Sequence, residues 1–243
     1  MMELLADPDV WLSFATLAAL EIVLGVDNLV FISIVAAKLP AEQQARARQV
    51  GLIAALGMRI VMLLGIAWIV GLTQPAFTAF DYAVSWRDII LISGGLFLLV
   101  KATLEIHHAV EDDHSSDPSG AVRTTFGMAV AQIMALDLVF SLDSIITAVG
   151  MTDKVEVMIA AVVVAILVML FAAGPVSSFI QRHPTAKMLA LSFLLLIGVA
   201  LIADGLHFHI PRGYLYFAIA FSIVVEGLNL MAKAARAKRT GAH

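Results

Sequence analysis

Two twelve-residue segments carry the same arrangement of acids in apolar surroundings. ALEIVLGVDNLV (19–30) sets Glu21 and Asp27 six residues apart, and ALDLVFSLDSII (135–146) sets Asp137 and Asp143 at the same interval. The segments align without a gap. Glu21 falls on Asp137, Gly25 on Ser141, Asp27 on Asp143 and Asn28 on Ser144. Carboxylates with an amide and a hydroxyl beside them make a hard oxygen donor set. Such a set suits Mn²⁺, Mg²⁺ or Ca²⁺ better than Cu⁺, and the chain has no cysteine to supply a soft ligand.

Six acids lie within or at the edges of apolar runs: Glu21, Asp27, Asp137, Asp143, Asp204 and Glu226. Arg59 is the one comparably placed base. One arginine cannot neutralise six carboxylates, so either several are protonated or a cation sits among them. The expected metal set is Glu21, Asp27, Asn28, Asp137, Asp143, Ser144 and Glu226, the last facing the same cavity from the final span. The alternative for these acids is a set of neutral groups hydrogen-bonding helices together. Residues six apart on a regular helix are separated by about 9 Å along the axis and about 240° around it. Both acids of a pair reach one site only if the helix bends or opens between them, at Gly25 and at Ser141. For Gly25 the competing role is close helix packing.

The elements that must position these groups follow from composition. The chain has 243 residues, is 61% hydrophobic and 14% charged, and has a mean hydropathy of +0.96. A soluble domain is about 25% charged. The apolar residues fall into runs near spanning length, which predicts an all-α polytopic membrane protein with seven transmembrane helices. The expected spans are 11–37, 50–72, 89–104, 124–149, 157–173, 186–203 and 213–231. The polar stretch EDDHSSDPSG reads as the most mobile linker. The N-terminus is acidic and lacks the basic region of a cleavable signal, so the first run is expected to be retained.

With the N-terminus outside, the cytoplasmic segments hold eleven Lys or Arg and the external ones three, which predicts a cytoplasmic C-terminus. The whole chain, 1–243, reads as a single transmembrane domain. Three spans lie between the two acidic copies, so the second copy runs in the opposite direction. That predicts inverted three-helix repeats, about 11–108 and about 124–209, with a seventh helix at about 213–232 and a basic tail at 233–243. The tail reads as a topology anchor touching anionic membrane lipid. His107 and His108 at one mouth, and His207 and His209 at the other, read as interfacial polar residues, with weak capture of metal or protons as the alternative.

A net charge of −4 offers no surface for nucleic acid. No lysine precedes Lys233 in the last span, which excludes a retinal-type Schiff base there. No P-loop is present, which argues against an ATP-driven pump. Two classes remain. One is a secondary transporter of a divalent cation. The other is a membrane-embedded hydrolase using paired aspartates, against which the repetition of both acid pairs argues.

EIVLGVDNLVF (21–31) and DLVFSLDSI (137–145) resemble the two signature segments of the TerC family of integral membrane proteins. GGLFLLVKATLEIHH (94–108) and FHIPRGYLYFAIAFSIVVEGLNL (208–230) resemble that family's third and last spans. The resemblance covers nearly the whole chain. It implies a non-enzymatic bacterial inner-membrane protein in a family associated with manganese export, with Mn²⁺ as substrate and no tightly bound cofactor. It also implies Mn²⁺ ligand roles for Glu21, Asp27, Asp137 and Asp143, with Asn28 and Ser144 beside them. Gly25 stands where many relatives have Ser. Some relatives carry a soluble C-terminal extension, and this chain stops after its basic tail, as a short form.

Overall fold

The computed structural model describes residues 7–79, 82–111 and 124–240; within these, the side chains of Asp27 and Asp143 lie outside the description. The linker 112–123, which holds most of EDDHSSDPSG, also lies outside the described residues. Nine elements other than one very short helix are formed by the described residues: α1 (Pro8–Ala37), α2 (Ala41–Leu64), β1 (Pro75–Ala79), β2 (Tyr82–Ser85), α4 (Trp86–Glu111), α5 (Phe126–Val149), α6 (Val155–Arg182), α7 (Pro184–Gly205) and α8 (Arg212–Thr240). The short helix, α3 (Ile66–Gly71), follows α2 across Gly65.

Seven of these helices are long and apolar enough to cross a membrane, as composition predicts. Their starts follow local chemistry. Asp7 caps α1 by accepting from the Asp9 N–H at 3.1 Å, and Pro8 supplies the pre-set first turn. The Lys154 ammonium lies 3.1 Å from Asp7, and this bond, with that from Asp9, holds the Asp7 carboxyl below its ordinary range. Thr125 caps α5, and Pro184 opens α7. α2 begins at Ala41, well before the apolar run at 50, because AEQQARARQ has high helix propensity and low hydropathy. For the same reason α8 runs on through the basic tail to Thr240.

The antiparallel hairpin β1–β2 was not expected. Thr78 faces Ala83 and Phe77 faces Val84 across it. Ser85 ends β2 and starts α4 with a reciprocal cap: its Oγ accepts from the Asp88 N–H at 3.2 Å, and Asp88 Oδ2 accepts from the Ser85 N–H at 2.9 Å.

Six helices share one apolar core, which includes Leu17, Leu52, Leu98, Ile133, Ile166 and Leu191. α4 packs mainly on α7, α1 on α6, and α2 on α5 and α6. α8 packs on α7 alone among the helices with which it makes extensive contact. The α4–α7 crossing is close because Gly95 faces Gly198. A Cβ on Gly95 would lie 2.6 Å from the Gly198 carbonyl oxygen, and one on Gly198 would lie 3.0 Å from that of Gly95.

Side-chain bonds distinguish the two ends of the bundle. At the hairpin end, Lys154 meets Asp7, and His207 Nε2 lies 3.0 Å from Asp88 Oδ2. His207 reaches Asp88 from a left-handed backbone with φ of 62°. At the opposite, tail end, Lys38 pairs with Glu105, and Arg48 Nη1 donates to Ser177 Oγ at 3.3 Å.

Candidate functional site

α1, α2 and α5 bring Glu21, Arg59 and Asp137 together in the core. Arg59 is 2% exposed, and Glu21, Asp137 and Asn28 are each 5% exposed. The guanidinium fork grips Asp137 twice: Nε donates to Oδ2 at 3.0 Å and Nη2 to Oδ1 at 2.6 Å. Nη1 donates to Glu21 Oε2. The Asn28 amide adds a fourth bond, donating to Asp137 Oδ1 at 3.1 Å. A planar donor fork fits two carboxylates better than a lysine ammonium could. With both acids ionised, the cluster carries a formal charge of −1 in a medium that penalises unpaired charge.

The helices are continuous through the two acidic segments. The opening at Gly25 and Ser141 that would bring both acids of a pair to one site is not present in this structure. Ser141 Oγ donates to the Asp137 carbonyl oxygen inside an intact turn rather than to a backbone group freed by unwinding. Ser144 Oγ likewise donates to the Ser141 carbonyl oxygen at 3.2 Å. Gly25 serves close packing: a Cβ there would lie 2.4 Å from Met169 Sδ on α6. Because the helices do not open, Glu21 and Asp27 hold positions about 240° apart around α1. Asp137 and Asp143 stand in the same relation on α5. The metal-ligand roles expected for Asp27 and Asp143 fall on side chains outside the described residues.

A cavity of about 60 Å³ adjoins the cluster, lined by Asn28, Arg59, Phe140, Ser144, Asp204 and Tyr216 among others. That is room for a small ion or a few waters. It extends from Arg59 toward the hairpin end, where α7 finishes and α8 begins. Near the tail end, Lys38, Lys101, Glu105 and Gln132 border a space of only about 10 Å³. Glu226 does not line the larger cavity. Its Oε1 accepts from the Thr185 hydroxyl, at the start of α7. His107 and His108 sit side by side near the end of α4, with ring centroids 6.1 Å apart. Among the described residues, no three His, Asp or Glu side chains gather as a metal cluster.

The role of Arg59 as a clamp on two equivalent acids was not anticipated from the chain alone. Its signal was an arginine alone in an apolar run. The sequence marks Asp204 as an acid at the edge of an apolar run, but its place in the same cavity as Asn28 and Ser144 follows only from how α7 packs.

The family model for the TerC integral membrane proteins matches residues 6–241. YgdQ of Escherichia coli K12, described as an UPF0053 inner membrane protein, is 51% identical over 227 residues, covering 93% of this chain and 95% of that one. An UPF0053 protein of Haemophilus influenzae is 49% identical over 230 residues, covering 95% and 97% respectively. YoaE of Escherichia coli K12, another UPF0053 inner membrane protein, is 52% identical over 232 residues, which are 96% of this chain but 45% of that longer one. No solved structure matches. With a family match along almost its whole length and seven helices able to span a bilayer, the chain belongs to the TerC family of integral membrane proteins.

Proposed function

We propose that the chain is a secondary transporter of the bacterial inner membrane that exports a divalent metal cation, Mn²⁺ foremost, by alternating access. The inner-membrane descriptions of its relatives support the location. The observation that carries the reading is the convergence of Glu21 and Asp137 on Arg59. Equivalent acids from two similar segments meet at one buried base, which balances only one of them. Asp27 and Asp143 follow six residues later in the same helices, so the two segments together carry four acids against the one arginine.

The inverted repeat is part of this proposal. If spans one to three exchange with spans four to six, the α1–α6 pairing becomes the α5–α2 pairing, and α4–α7 maps onto itself. The observed packing supports that exchange. The Lys38–Glu105 pair, beside a space of only about 10 Å³, supports an arrangement in which the tail end is barred. On this reading Mn²⁺ enters from the cytoplasm, binds among Asp27, Glu21, Asp137 and Asp143 in a state in which α1 and α5 bend near Gly25 and Ser141, and leaves outside. Arg59 then acts as a resident cation that the arriving metal must displace from Glu21 and Asp137. After release, crowded carboxylates in a low dielectric regain protons, and proton return completes the cycle. Ca²⁺ or Mg²⁺ is the alternative cargo, since a hard oxygen set accepts all three.

Reconstituted proteoliposomes test this with Mn²⁺ flux under imposed pH gradients and an internal pH dye. Asp27→Asn and Asp143→Asn are each expected to abolish nearly all flux, and His108→Ala to retain most of it. Flux indifferent to the pH gradient would refute proton antiport. Equal movement of Ca²⁺ or Mg²⁺ at the same concentration would refute Mn²⁺ as the preferred cargo.

A further inference from the structure

Asp204 is the buried acid that the proposed metal set leaves out. It lies in the last turns of α7, with its side chain 10% exposed. Its Oδ1 is buried and accepts no hydrogen bond. The nearest recorded base is His209, whose Nδ1 stands 3.4 Å away on a side chain that is 85% exposed. That distance exceeds the range of an ordinary N–H···O bond. The other buried acid at the hairpin end differs. Asp88 accepts from the Ser85 backbone and hydroxyl and faces His207.

Asp204 shares a largely apolar cavity with Arg59, whose charge is met by Glu21 and Asp137, and with two neutral oxygen donors. The cavity it lines is also lined by Asn28 and Ser144, the paired polar residues of the two acidic segments. Asn28 uses its NH₂ on Asp137, so its carbonyl oxygen is the atom available to a ligand. Ser144 gives its proton to the Ser141 carbonyl, so its lone pairs are the available feature. Three oxygen acceptors border this space, and one is a buried carboxylate oxygen that accepts no hydrogen bond, a donor set that a hard cation can complete.

We infer that Asp204, with the oxygens of Asn28 and Ser144, forms a second binding station for a hard divalent cation. It adjoins the Arg59 cluster through Asn28, on the side lined by α7. This rests on the transport reading only for its role as a step on the path; binding itself does not require it. Occupancy in passing explains why an acid can persist there without a permanent partner. A merely protonated Asp204 would make a different prediction, because Asn is close to isosteric with the neutral acid.

The chain contains no cysteine, so Ala200→Cys places a single thiol on the same cavity wall. Its modification by a small methanethiosulfonate reagent is followed in detergent with and without Mn²⁺. At Mn²⁺ about ten times its dissociation constant the reaction is expected to slow by about ten-fold, because only about a tenth of the sites remain free. Adding Asp204→Asn is expected to remove the protection, and Asp204→Glu to keep it. In proteoliposomes, Asp204→Asn is expected to lower Mn²⁺ flux by a similar factor. An absence of protection in the Asp204 background, or protection that survives Asp204→Asn, overturns the inference, as does flux unchanged by Asp204→Asn when the unsubstituted chain carries Mn²⁺. If the unsubstituted chain moves no Mn²⁺ yet shows Asp204-dependent protection, the transport reading falls and the binding station stands.

Discussion

Glu21 and Asp137, which occupy the same position in two similar segments 116 residues apart, are held by one guanidinium, that of Arg59. The bond pattern is unequal. Asp137 takes two arms of the fork and the Asn28 amide, whereas Glu21 takes one arm. The two halves therefore meet at a shared centre without being interchangeable there.

Removing the clamp should be costly. Arg59→Met leaves two carboxylates facing each other in the core, and breaking a buried pair of this kind costs about 3–5 kcal/mol. Arg59→Lys should also be poor, because an ammonium cannot reproduce the two-armed grip on Asp137 together with the bond to Glu21. The triple variant Glu21→Gln, Asp137→Asn, Arg59→Met should recover most of the loss. Thermal unfolding in detergent measures all three, and a triple variant no more stable than Arg59→Met would contradict the charge argument.

The glycines make a contrast between contacts that can and cannot give way. At Gly95→Ala the new methyl meets the Gly198 carbonyl, which belongs to a helix backbone. Overpacking of that kind costs about 1–3 kcal/mol. At Gly25→Ala it meets the thioether of Met169, a flexible side chain that can turn aside. Gly25→Ala should therefore be the milder change, and Met169→Ala should offset part of it. Melting temperatures that rank the two the other way would show that the α1–α6 contact is the rigid one.

The hairpin and α4 are joined by the reciprocal cap between Ser85 and Asp88. Ser85→Ala should cost about 1 kcal/mol, the usual loss for an N-cap. Asp88→Asn should cost more than a simple cap, because it also removes the carboxylate facing His207. Hydrogen exchange across 82–92 should rise in both variants, with exchange near His207 rising only in the second. Equal effects at both places would show that the His207 contact adds nothing.

Topology can be read from single thiols in this cysteine-free chain. Asp9→Cys should react with an impermeant reagent from outside intact cells, and Ala242→Cys only after permeabilisation. Both reacting from the same side would refute the odd number of crossings.

Much of this protein is determined along the chain itself. Seven apolar runs specify seven helices, because a bilayer leaves backbone groups no other partner. The two acidic segments announce themselves because a carboxylate in an apolar run is expensive enough to require a reason. The ends of helices were less legible, since hydropathy finds the part that crosses the lipid and not the polar turns that continue it, as at Ala41 and Thr240. The hairpin at Pro75–Ala79 and Tyr82–Ser85 was missed for a related reason: a two-stranded pair between spans leaves no hydropathy signal. The partners of the acids were decided only by tertiary packing. Hydropathy places Arg59, Glu21 and Asp137 in three separate helices. Which way each faces depends on how α1, α2 and α5 nest, and on Gly25 letting α1 approach Met169. The same holds for Asp204, which meets Asn28 of α1 and Ser144 of α5 only as the lining of one cavity. A sequence records the cost of burying a charge, but the group that meets that charge is selected by geometry in three dimensions.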